Sequence, residues 1–204
     1  QKHKNSKDIL PLTNQINELL NNDQPDKKKV GIHMINQLYC DETIKHIINL
    51  LPFFDQPTIN AISTLIQTTI RKYPEKSLPT YLIQHHSELL TLFSYFENPN
   101  VSNTSHLLIR ACLQNRDFSK SLFENGFVGS FIQYLSGDFA KLTNAFATYD
   151  AILNTHEDIS SEYVNANWSI FLIQFKQLLN SPNYLIQTNF LPLLFKFLTN
   201  QQSV

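Results

Sequence analysis

Apolar residues recur at three- and four-residue spacing along almost the whole chain, the pattern of amphipathic helices and not of strands. A first helix is predicted over 7–21, with Ile9, Leu12, Ile16, Leu19 and Leu20 on one stripe and Pro11 near its start. The polar, basic stretch 21–29 reads as a loop and a helix start whose three lysines are solvated. A second helix runs through Val30, Ile32, Met34, Ile35, Leu38 and Tyr39. A third covers 41–54, with Ile44, Ile47, Ile48, Leu51 and Phe54 in line.

From there the pattern repeats. Pro57, Pro99, Ala140 and Pro182 stand 42, 41 and 42 residues apart. Two of these marks carry nearly the same text, Glu97-Asn98-Pro99-Asn100 and Asn180-Ser181-Pro182-Asn183. In each, a capping side chain (Asn98, Ser181) precedes a proline expected at the first helical position. Apolar pairs follow the marks, among them Leu65/Ile66, Leu107/Leu108, Ile152/Leu153 and Phe190/Leu191. Apolar helices precede them, over 44–54, 89–96, 126–135 and 167–179. A helical period near 42 predicts an all-α armadillo/HEAT-like right-handed superhelix. The expected organisation is one domain over 1–204, with N-terminal capping helices over about 1–40 and repeats beyond. Units of this kind cannot bury their own apolar faces, so they stack, and the long helix after each mark is expected to line a concave binding surface.

Composition narrows the function. Sixteen Lys+Arg against seventeen Asp+Glu leave a net charge of −1, without the basic excess of a nucleic-acid binder. Four glycines are too few for phosphate-binding loops or many tight turns. Cys40 and Cys112 read as small buried hydrophobes in a reducing compartment. No signal peptide and no run of apolar residues long enough for a membrane span is seen, so the expected location is the cytoplasm.

Candidate chemistry is sparse. Seven histidines are scattered, and the His85-His86 pair points about 100° apart on a helix, a poor chelate. His106 and Cys112 lie six residues apart, also poorly spaced for a metal or a nucleophile pair. Ser130 lacks the strand–turn–helix setting of a hydrolase elbow. The expectation is therefore no enzyme, no metal and no cofactor. The aromatics, fifteen Phe, eight Tyr and one Trp, are mostly assigned to the core, with a remainder available as anchors on a binding face.

The string Phe139-Ala140-Lys141-Leu142-Thr143-Asn144-Ala145-Phe146-Ala147-Thr148-Tyr149, followed by Ile152-Leu153 and His156, resembles the most characteristic helix of the calcium-binding protein 39 family. Ser161-Glu162-Tyr163-Val164, Phe171, Phe175, Leu178-Leu179 and Asn183-Tyr184 continue in the same register. Upstream, Pro79-Thr80-Tyr81, Asn98-Pro99 and Leu108-Ile109-Arg110-Ala111-Cys112-Leu113 also fit. The resemblance covers about 40–200 and is strongest over 137–185.

That resemblance implies a non-catalytic scaffold for sterile-twenty-like (germinal-centre) kinases and pseudokinases, acting in signalling and cell polarity. Such a scaffold holds its partner near the regulatory C-helix and favours the active arrangement by binding it better. No EF-hand loop is present, and no calcium is expected. Phe139 and Tyr184 keep family partner-facing aromatics, and Thr143, Gln187 and Thr188 complete the expected partner-binding set. Where the family carries two basic residues on the last helix, this chain has Thr188 and Pro192, the latter expected to kink the helix. The family continues through further repeats with a pocket for a partner peptide. Here the chain stops at Val204, and the last helix, with Leu193, Leu194, Phe197 and Leu198, is expected to be covered by a partner or by a second copy as a homodimer. Two readings stand at this stage: a kinase-regulating scaffold, and an armadillo-like adaptor that has lost kinase activation.

Overall fold

The computed structural model describes all residues except 1, 23, 41–42, 136–138, 182 and 202–204, and leaves the side chains of 2–7, 40, 139–140, 185 and 200–201 undescribed. Among the described residues there are thirteen α-helices, some short 3₁₀ turns and no strand. The chain divides into two compact units, Gln1–Phe118 and Ser119–Val204.

In the first unit, α1 (Lys2–Leu20) packs on α2 (Pro25–Cys40) and along α4 (Gln56–Lys72). Leu20, Ile35, Leu38 and Leu65 form the shared core there. Gly31 sits where α2 crosses α1 closely: a Cβ at this position would lie 3.0 Å from Leu20 Cδ2. Pro11 is not near the start of α1 but inside it. It is exposed, so water can take the carbonyl that its missing N–H leaves free. The three lysines of α2 are exposed on its opening turns, as solvated charges should be.

The predicted helix over 41–54 ends early. α3 (Thr43–Leu50) gives way to a 3₁₀ turn, Leu51–Phe53, because Pro52 cannot donate to the α ladder. Its apolar stripe is nonetheless inward: Ile44, Ile48, Leu51 and Phe54 are buried. Asp55 then caps α4, its carboxylate accepting from Thr58 N at 3.0 Å, with Pro57 in the first turn.

The same sequence of parts recurs. A short helix with a 3₁₀ tail, α6 (His86–Ser94) with Tyr95–Glu97, leads to α7 (Ser102–Cys112), and α5 (Leu78–Gln84) connects the two repeats. The repeats stack through α3 on α6 and α4 on α7. The half-buried Lys45 of α3 reaches the buried Glu88 of α6 at 3.8 Å, and Ser87 Oγ donates to the same carboxylate at 2.6 Å. Burial alone would raise the Glu88 pKa; the Ser87 hydrogen bond and the Lys45 charge outweigh it and hold the carboxyl below its ordinary value.

One expectation at the second mark is corrected. Asn98 does not cap a helix that starts at Pro99. Its side chain accepts from Asn100 N at 3.0 Å and closes a turn, and α7 begins only at Ser102, whose N–H is taken by the Asn98 carbonyl at 2.8 Å.

In the second unit, α8 (Arg116–Glu124) spans the division between the units and ends in a left-handed turn at Gly126, φ 72°. α9 (Phe127–Ser130) with its 3₁₀ tail, Phe131–Tyr134, precedes α10 (Phe139–Asn154). α11 (Glu157–Ala166), α12 (Trp168–Leu179) and α13 (Tyr184–Gln201) follow. α11 packs on α10, α12 and α13, and α12 packs on α13. Each expected mark therefore precedes or opens a long helix. The proline expected to start the last one, Pro182, lies outside the described residues; Ser181 Oγ accepts from Asn183 N at 3.3 Å.

Candidate functional site

The Ala-Phe-Ala-Thr-Tyr string turns out to be mostly a packing device. Ala145, Thr148 and Tyr149 are buried, while Ala147 is exposed. Phe146 meets Phe190 of α13 edge-on at 5.1 Å, and Tyr149 meets the same ring at 5.7 Å. Phe175 of α12 closes on Phe190 at 5.5 Å, and Phe131 stacks on Tyr149 at 5.7 Å. Burial pushes the Tyr149 hydroxyl pKa up, so it stays neutral. This aromatic cluster locks α10, α12 and α13 together and thereby fixes which face of α13 looks out.

That face is the most informative surface of the unit. Ile186, Phe190, Leu193 and Phe197 are buried and form the inward stripe of α13. Tyr184, Thr188, Leu191, Phe195 and Leu198 are exposed and lie on the opposite side of the same helix. Tyr184 is 74%, Leu191 54%, Phe195 69% and Leu198 42% exposed. The stripe carries no charged residue. Lys196, a cation of this helix, lies off it and turns to α11, donating to Glu157 Oε1 at 2.7 Å and to Asn154 Oδ1.

The five expected site residues fare differently. Tyr184 opens α13 and heads the outward stripe. Thr188 lies on the same stripe, its hydroxyl donating to the Tyr184 carbonyl at 2.7 Å. Gln187 sits at the flank, half-buried, with its amide donating to the Ser181 carbonyl at 2.9 Å, so it braces the turn before the helix. Thr143 is exposed on α10. Phe139 opens α10, but its side chain lies outside the described residues.

Sequence reasoning missed Leu191 and Phe195 as surface residues. It expected Leu193, Leu194, Phe197 and Leu198 to be uncovered together, whereas Leu193 and Phe197 are 5% and 2% exposed. Two apolar stripes with the same spacing run along one helix, and spacing alone does not say which is inward. α13 also continues through Pro192 as one helix. The proline is exposed and removes a hydrogen bond only on the solvent side.

The other chemical candidates are absorbed by the fold. His106 is buried and stacks on Phe96 at 3.7 Å. Burial first, and the Arg110 charge second, pull its pKa down to about 3. His85 stacks on Tyr81 at 4.0 Å. Cys112 is a buried free thiol whose pKa burial pushes up, which leaves it unreactive; the Cys40 side chain lies outside the described residues. Among the described residues no three His, Cys, Asp or Glu side chains gather as a metal site. No helix among them is long and apolar enough to cross a membrane.

A family model described as Mo25-like matches residues 1–204. The chain is 22% identical to MO25-like protein 2 of Caenorhabditis elegans, over 88% of this chain and 54% of that protein. It is 22% identical to calcium-binding protein 39-like of Mus musculus, over 89% and 55% respectively. With the Mo25-like protein of Schizosaccharomyces pombe it shares 23% identity, over 81% and 51%. The chain spans about half the length of these curated relatives.

Proposed function

The chain belongs to the Mo25-like family, and on that premise we propose that it is a non-catalytic scaffold that binds a sterile-twenty-like kinase or pseudokinase and favours its active arrangement. The observation that supports this most directly is the outward stripe of α13. A solvated helix face normally carries charge, whereas this one presents Tyr184, Leu191, Phe195 and Leu198 in a row. Aromatic anchors on an exposed face are the usual centre of a protein interface. Phe139, at the head of α10, and Thr143 extend the proposed contact set; Gln187 positions the turn that carries Tyr184. The energetic role is a population shift: the scaffold activates only as far as it binds the active form better than the inactive one. The proposed setting is cytoplasmic.

A second reading has its own support. Thr188 and Pro192 offer no charge where the resemblance implies basic residues, which favours an adaptor that binds its partner through apolar contacts without activating it. Pairing of two copies through α13 is the competing use of the same face.

The test is binding of the chain to a germinal-centre-type kinase domain, with kinase activity read at saturation. Saturable activation, lost in Tyr184→Ala and Phe139→Ala, is the expected result. Binding without activation would favour the adaptor. No binding, together with a concentration-dependent dimer that Phe195→Ala dissolves, would replace both with self-association.

A further inference from the structure

Asn125 is the one asparagine of the chain that a glycine follows. The pair closes α8, and Glu124, Asn125 and Gly126 are exposed. The left-handed φ of 72° at Gly126 favours glycine there. A Cβ at this position would meet nothing within 4 Å, so no side chain shields the Gly126 nitrogen. The Asn125 amide is tied back onto the helix. Its Nδ2 donates to the Ser121 carbonyl at 2.8 Å and to Ser121 Oγ at 3.1 Å. The Gly126 N–H donates to the Phe123 carbonyl at 3.1 Å.

We propose that Asn125 is a site of deamidation whose rate is set by the last turn of α8 and whose product loosens that turn. Base removes the Gly126 N–H proton, the nitrogen attacks Asn125 Cγ, and the Cγ–Nδ2 bond breaks as Nδ2 leaves in ammonia. Water then opens the cyclic imide at either carbonyl and leaves aspartate or isoaspartate. In the closed turn both reacting groups are engaged: the Gly126 proton lies in a hydrogen bond, and Ser121 holds the amide that must swing toward the Gly126 nitrogen. Reaction therefore requires the turn to open, and exposed helix ends open most readily. Two hydrogen bonds from Nδ2 and one from the Gly126 nitrogen oppose that opening, so the folded chain should react at least about ten-fold more slowly than the unfolded segment. The product cannot remake the turn. A carboxylate has no N–H for Ser121, and its charge faces the Ser121 carbonyl at the negative end of α8. Isoaspartate also lengthens the backbone before Gly126. Phe123 is buried and tilts against Tyr163 of α11 at 5.1 Å, so the loosening should stop at the last turn.

The test is incubation of the full chain at mildly alkaline pH, followed by peptide mapping with mass spectrometry, beside a synthetic peptide of residues 119–130. The expected result is that aspartate and isoaspartate products appear first at Asn125, more slowly in the folded chain than in the peptide. With urea added up to just below the unfolding transition, the rate should rise in step with amide exchange at Gly126. Ser121→Ala removes one of the restraining bonds and should speed the folded chain about five-fold while leaving the peptide rate unchanged. Asn125→Gln should abolish the product. Asn125→Asp should raise amide exchange over the last turn of α8 and leave overall melting nearly unchanged. Earlier deamidation at another asparagine, equal rates in chain and peptide, or an Asn125→Asp variant with unchanged exchange would overturn the proposal. If Ser121→Ala fails to fold, the wild-type comparison of reaction rate with Gly126 exchange decides, and a rate that ignores the exchange overturns it.

Discussion

Tyr184 and His106 illustrate two ways in which one side chain can matter here. Tyr184 is 74% exposed, so its replacement removes little from the fold. Tyr184→Ala and Phe195→Ala are each expected to weaken partner binding by about 1–3 kcal/mol, with thermal melting nearly unchanged. A matched loss of stability in the same variants would assign them to the core instead. His106 acts oppositely, through stability alone. Its folded-state pKa, about 3, lies below the ordinary value of 6.5. Between those values the unfolded chain takes up a proton at this site that the folded chain does not. Its contribution is therefore complete above about pH 6.5 and is lost as the pH falls through the window, by up to about 1.4 kcal/mol per pH unit. Urea denaturation at a series of pH values should show this slope, and His106→Gln should flatten it.

At the scale of elements, α13 carries two jobs on opposite faces. Its inward stripe is anchored at Phe190, which is 0% exposed and touches Phe146, Tyr149 and Phe175. Phe190→Ala should cost about 3–5 kcal/mol. Because the same ring holds α13 against α10 and α12, the loss should also disturb the outward face. Partner binding should fall in Phe190→Ala although the residue touches no partner, and amide exchange along α13 should rise. Unchanged α13 exchange in a destabilised protein would break this link between packing and presentation. The repeat joints follow a similar logic of necessity: Pro52 ends α3 and a 3₁₀ turn completes the helix before Asp55 caps the next one.

At the scale of the molecule, charge is nearly balanced, with a net charge of −1, and the proposed partner stripe is uncharged. Long-range steering should therefore contribute little. Affinity for a kinase partner is expected to change less than about two-fold between roughly 0.1 and 0.5 M salt. A steep fall with salt would relocate the interface to charged surface, such as the exposed lysines of α2. Division into two compact units sets the proposed partner stripe of α13 within the second of them.

The all-α class, the repeat marks and most inward stripes were legible in the sequence, because helix amphipathicity is a local pattern with a fixed period. The family was legible from the helix around Ala145 to Tyr149, whose text is distinctive. Helix ends were less so. Pro11 inside α1, the 3₁₀ turn at Pro52 and the late start of α7 depend on which backbone groups water or a neighbouring helix can satisfy. Only the tertiary structure decided the orientation of α13, since Ile186-Phe190-Leu193-Phe197 and Tyr184-Leu191-Phe195-Leu198 are both acceptable core stripes by spacing. Phe146, Tyr149 and Phe175 choose between them, because they come from distant parts of the chain and pack on Phe190. The open apolar groove among α1 to α4 was illegible for the same reason: it is a property of how helices fit, and periodicity carries no information about what their meeting faces leave unfilled.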